Sequence, residues 1–182
     1  MNLDELRIDC SIKQKKGLHF ILASVIIWIA VFFIHKTSLP ILTKNLLTFC
    51  FTAPLLPIAY FISKLINVDF QNKNNPLNNL GVVFSLNQML YLLIAMWIYP
   101  TIPEKMIMVI AMIFGAHLLP YGWLYQSKSY YVFSVLIPLS ALYIGTNFAP
   151  DKLALFMIGI EVIFSIMLIL ENSKLAKSKI EQ

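Results

Sequence analysis

The sequence predicts an all-α integral membrane bundle of six transmembrane helices, with N-terminus and C-terminus both cytoplasmic. Three observations carry this prediction. Of 182 residues, 59% are hydrophobic and only 13% are charged, whereas a soluble domain averages about 25% charged. Six apolar runs approach or reach the roughly 17–25 residues that cross a bilayer, and together they consume nearly the whole chain. The few basic residues gather at the ends of those runs. This composition excludes an ordinary soluble enzyme, and also a disordered chain, which requires low hydrophobicity.

Residues 1–17 form a polar tail. Leu3, Leu6, Ile8 and Ile12 approximate one helical face, with Asp4 and Glu5 early and Lys13, Lys15 and Lys16 late, as a helix dipole favours. The tail reads either as an interfacial helix or as a loose positive segment that sets topology. The first run, 18–34, is too long for the apolar core of a cleaved signal and leads into His35 and Lys36, so it is read as a retained helix. The second run is 46–62, interrupted by Pro54 and Pro57. The connection 63–79 contains Gln71-Asn-Lys-Asn-Asn-Pro-Leu-Asn-Asn79 and reads as low-complexity and solvated. The third run, 80–99, ends at a turn with two helix-stopping prolines, Pro100 and Pro103. The fourth, 106–125, contains Pro120, and the fifth, 130–149, contains Pro138. The sixth is 153–170, and residues 171–182 form a cytoplasmic tail. Short loops predict that consecutive helices form antiparallel hairpins.

Orientation follows from charge. With the N-terminus inside, ten lysines and arginines fall on the cytoplasmic side and four (Lys36, Lys44, Lys105, Lys152) outside, a positive-inside bias. The net charge of +5 is therefore read as a topology signal, and no nucleic-acid partner is expected. Trp97 and Tyr99 suit one interface; Trp123, Tyr125, Tyr130 and Tyr131 suit the other. Two segments resemble each other, Ala53-Pro-Leu-Leu-Pro57 and Ala116-His-Leu-Leu-Pro120. A leucine-rich chain produces such matches by chance, and no repeat is predicted from them.

Ionisable groups inside lipid are costly and mark candidate sites. Two lie deep, Glu161 in the sixth run and His117 in the fourth. The sixth run has twelve Leu, Ile, Phe or Val residues, which at about −0.3 to −0.6 kcal/mol each offset one acid costing roughly +3 kcal/mol. Ala154, Glu161, Ser165 and Asn172 share a helical side, indicating burial against protein or water. Ala111, Gly115 and Gly122 form a small-residue face that predicts close packing against Ala141 and Gly145 of the fifth run. His117 points the other way, in line with Tyr121, and Pro120 frees the Ala116 carbonyl beside it. With Asn87 and Gln88 in the third run, these groups suggest a central polar cavity that binds a proton, a cation or a small molecule. The alternative is that the same groups only hold helices together. No metal or cofactor is expected: Walker, GxGxxG, HExxH, CxxC and GxSxG patterns are absent, and Cys10 and Cys50 read as free thiols.

The segment Gly115-Ala-His-Leu-Leu-Pro-Tyr-Gly-Trp-Leu-Tyr-Gln-Ser-Lys-Ser-Tyr130 resembles a signature of an uncharacterised family of small multi-pass bacterial membrane proteins. Lys16–Ser24 with Trp28, and Ile62–Leu65 continuing to Asn75-Pro76-Leu77, are similar to that family as well. The resemblance implies the bacterial cytoplasmic membrane and no established activity. The first functional expectation is a non-enzymatic transporter or permease-like protein using Glu161 and His117. The second is a partner or sensor subunit docking onto another membrane protein, or onto its own copies. An enzyme acting on lipid through His117 and Tyr121 comes last.

Overall fold

The computed structural model describes residues 2–70, 72 and 74–180, with side chains described as far as Leu175. Lys73 of the predicted solvated connection and the end of the C-terminal tail, 181–182, lie outside the described residues. All regular structure among the described residues is helical: α1 (Leu3–Lys13), α2 (Leu18–Lys36), α3 (Ile41–Thr52), α4 (Leu55–Leu65), α5 (Leu77–Thr101), α6 (Met106–Ala116), α7 (Leu119–Leu124), α8 (Lys128–Asn147) and α9 (Pro150–Ile180). Five spans are long and apolar enough to cross a membrane, or six if the bent α3–α4 pair is one of them.

Prolines explain the two interruptions. The α3–α4 pair bends by 41° at Ala53-Pro54, four residues before Pro57 would have bonded to the Ala53 carbonyl. The α6–α7 break falls at His117-Leu118, immediately after Ala116, whose carbonyl Pro120 has no amide hydrogen to bond. The two breaks are offset by one position between the similar segments, and each lies beside the carbonyl that loses its backbone hydrogen bond to the downstream proline. Pro138 sits inside α8, which continues through it. Pro100 does not stop α5 either, since that helix runs one residue further to Thr101.

The first span packs most extensively on the last, α2 on α9, while α8 packs on α6 and on α9. Helix α5 lies at the edge: 11% of its apolar window is buried, against 39–56% for the other four long spans. The face of α9 predicted to be covered is covered, with Ala154, Met157, Glu161, Phe164 and Leu168 fully buried. Between α6 and α8 the backbones approach closely. A β-carbon on Gly115 would come within 2.4 Å of Pro138 Cδ, and one on Gly145 within 2.5 Å of Met108 Cγ.

Three expectations are corrected. Residues 2–17 are docked on the bundle, and the buried side of α1 is Cys10 and Ser11, while Leu3 and Ile8 are exposed. Asn72 and Asn75 of the supposedly solvated connection are buried, because both amides bond to Asp9 of α1. Tyr125 and Tyr130 are interior residues rather than belt residues, since their hydroxyls bond to Gln14 and to the Lys16 carbonyl.

Candidate functional site

Two polar centres emerge, one within the bundle and one at the end that carries α1. The inner centre is Glu161. It lies in the middle of α9, on the face against α2, and is completely buried. Its Oε2 accepts from the hydroxyl of Ser24 on α2, and Trp28, one turn further along α2, also faces the carboxyl. Oε1 has no hydrogen-bond partner among the described residues, and none of their ion pairs involves Glu161. A charged carboxylate there would lack its counter-ion; a proton or an incoming cation would supply it.

The other residues expected to share this centre are elsewhere. His117 caps the end of α6, its ring set between Phe114 and Tyr121 at centroid distances of 5.4 and 5.9 Å, and its Nδ1 is unpartnered. Tyr121 reaches α5, where its hydroxyl meets Ser85 Oγ at 2.7 Å and the Gly81 carbonyl at 3.1 Å. Asn87 is exposed and donates to Tyr91 on its own helix; Gln88 is half-buried on α5. The single cavity expected from Glu161, His117, Asn87 and Gln88 is therefore not formed. The reason is that α9 meets α2, so the partners of Glu161 come from the first span and not from the third or fourth. Ser24 is the residue that sequence reasoning missed; the visible signal was a serine one turn from Trp28 in an otherwise apolar run. A third deep group, His19, was also missed. It packs on Phe20 and Phe70, and both its ring nitrogens are unpartnered.

The second centre is built around Glu171 of α9. Its carboxylate accepts from Lys16 Nζ (2.8 Å), Ser127 Oγ (2.7 Å), Ser129 Oγ (2.7 Å) and the Ser129 amide (2.9 Å). The last two lie in the first turn of α8, where an anion also meets the positive end of the helix dipole. Lys16 belongs to a run of three left-handed residues, Lys15, Lys16 and Gly17, with φ of 45°, 51° and 71°. Left-handed backbone costs about 1–2 kcal/mol for each residue bearing a β-carbon, so the turn needs outside support. Tyr130 bonds to the Lys16 carbonyl at 2.9 Å and Asn172 to the Lys15 carbonyl at 3.0 Å. Gly17 has no alternative, since a β-carbon there would stand 2.8 Å from the Tyr130 hydroxyl.

Asp9 completes the docking of α1. It pairs with Lys13 at 2.7 Å and accepts from Asn75 (2.8 Å) and Asn72 (3.2 Å). Burial alone would raise its pKa, but the hydrogen bonds from Lys13, Asn75 and Asn72 hold it below the ordinary 3.8. A carboxyl depressed in the folded state stabilises it above the unfolded value, and this contribution is lost as pH falls through the folded one. Amide exchange across Leu3–Lys13 is therefore expected to accelerate on acidification below pH 3.8, ahead of exchange in α2 and α9.

Among the described residues, no three His, Cys, Asp or Glu side chains are placed to hold a metal ion. The fold and its buried polar contacts define a multi-pass helical membrane-type bundle. The chain belongs to a family of unknown function, DUF7010, whose model matches residues 3–171. No curated protein and no solved structure matches it.

Proposed function

We propose that this protein is a non-enzymatic, transporter-like or permease-like protein of the bacterial cytoplasmic membrane, with both termini cytoplasmic, in which Glu161 binds and releases a proton or a small cation. The observation that carries the reading is a fully buried carboxyl in a membrane-type span, held by Ser24 and faced by Trp28, with Oε1 unpartnered and no counter-ion among the described residues. An acid retained at that depth is costly and is characteristic of ion and proton pathways. Supporting it, the α3–α4 and α6–α7 segments are each interrupted just upstream of a proline, and discontinuous helices are a feature of transporter folds. The orientation rests on the ten-to-four distribution of basic residues, and the bacterial membrane on the sequence resemblance.

A second reading, a subunit that docks onto a membrane partner, draws on α5. The small-residue faces at Gly115 and Gly145 are already occupied within the chain. Helix α5, by contrast, exposes the Asn87 amide along with Leu86, Leu90 and Leu93.

The test is proton uptake by liposomes that contain the full-length protein and an entrapped pH-sensitive dye, driven by a potassium diffusion potential. Wild type is expected to exceed protein-free liposomes, and Glu161→Gln to fall to their level while eluting as the wild type does. Uptake unchanged by Glu161→Gln would sink the proposed site. A wild-type chain that moves no protons yet retains one stable membrane companion would favour the docking reading.

A further inference from the structure

We propose that the groove between the start of α8 and the last turns of α9 binds an anionic phospholipid, with the headgroup phosphate between Lys128 and Lys174. The inference uses the membrane placement of the bundle and is independent of Glu161.

The groove encloses about 740 Å³ and joins two kinds of surface. At its floor, Lys16 and Glu171 neutralise each other at 2.8 Å. Lys128 and Lys174 stand at the same end, both exposed, and neither has a hydrogen-bond or ion-pair partner among the described residues. The groove's uncompensated charge is thus entirely positive. Away from that end its walls are Val132, Ile163 and Met167, which are 57%, 55% and 43% exposed. These residues lie about one to three turns deeper along the same two spans, where lipid chains run.

The chemistry selects the occupant. A free phosphate would satisfy the lysines and leave the apolar walls uncovered. A zwitterionic choline lipid would cover the walls but bring a cation towards two others. An anionic phospholipid matches both ends, and basic pockets between membrane helices recognise such headgroups. Lys128 opens the span Lys128–Asn147 and Lys174 closes the span Pro150–Leu175, so both ammonium groups stand at headgroup depth.

Native mass spectrometry of the full-length protein, equilibrated with equal amounts of phosphatidylglycerol and phosphatidylcholine, tests the proposal. Phosphatidylglycerol adducts are expected to exceed phosphatidylcholine adducts by roughly 25-fold, since each of the two surface lysines contributes on the order of a fivefold preference. Lys128→Gln with Lys174→Gln should bring the two lipids to parity, and each single variant should give an intermediate ratio. Val132→Trp, which fills the wall and leaves the charges, should lower phosphatidylglycerol retention. Parity in the wild type, or a preference unchanged in the double lysine variant, would overturn the site. Displacement of the lipid by sn-glycerol 3-phosphate at equal concentration would show a soluble-phosphate site instead and overturn the lipid assignment.

Discussion

Glu171→Ala is expected to destabilise the protein by about 2–3 kcal/mol, less than the cost of removing one partner of a fully buried ion pair because the Glu171 side chain is 21% exposed. The partner left behind is Lys16, whose side chain is 8% exposed and whose left-handed backbone holds it facing inward. Without the carboxylate, its nearest remaining acceptor is the Gln126 carbonyl at 3.5 Å. The hydroxyls of Ser127 and Ser129 lose their acceptor at the same time. The damage should spread along a defined route. Lys16 anchors the turn that joins α1 to α2, so amide exchange should rise in residues 3–17 and at the start of α8, and less around Glu161. Glu171→Gln keeps an acceptor for the serines and removes the charge, so its loss should be smaller. Lys16→Met combined with Glu171→Leu removes both charges and should recover part of the stability lost in Glu171→Ala. If Glu171→Ala melts at the wild-type temperature in detergent, the four hydrogen bonds do not hold this end of the bundle.

The outline of the fold was legible because lipid imposes one demand on every span. Each of the six apolar runs became a helix or a broken pair, and both breaks fall at or immediately after the carbonyl that a downstream proline leaves unbonded. The buried face of α9 was also legible, since Ala154, Glu161 and Ser165 follow helical spacing. What stayed hidden depends on which helices meet. Ser24 and Glu161 are 137 residues apart and Lys16 and Glu171 are 155 apart, and no local pattern encodes either pairing. Glu171 was assigned to a tail because the apolar run ends at Leu170, yet α9 continues to Ile180. Asn72 and Asn75 lie in a stretch whose composition resembles solvated linker. Their burial comes from one acid, Asp9, on a helix that the apolar pattern marks only weakly.

Gly115→Ala is expected to be the most damaging single-methyl change at the α6–α8 contact, while Gly159→Ala, in α9, should be neutral. Lipid tails are as apolar as leucine, so helices in a bilayer associate through close van der Waals packing and not through hydrophobic expulsion. The contact at Gly115 depends on that closeness. A β-carbon there would lie 2.4 Å from Pro138 Cδ and 2.8 Å from Ile137 Cβ. Neither atom can swing aside, since one belongs to a ring closed on the backbone and the other is bonded directly to it. The α6 and α8 backbones must separate, and overpacking of this kind costs about 1–3 kcal/mol. The clash at Gly145 is with Met108 Cγ and Cβ, at 2.5 and 2.6 Å. Methionine adjusts more readily than proline, so Gly145→Ala should fall between the other two. At Gly159 an added β-carbon meets nothing within 4 Å, and the better helix former can even be favoured. Melting temperatures of the three variants in one detergent should therefore rank Gly115→Ala lowest and Gly159→Ala at the wild-type value. Adding Pro138→Ala to Gly115→Ala removes the ring that the new methyl strikes. Recovery of most of the loss in the pair, beyond what Pro138→Ala does alone, would locate the cost at that contact. Equal melting temperatures for Gly115→Ala and Gly159→Ala would mean that the close α6–α8 approach does not contribute to holding the bundle together.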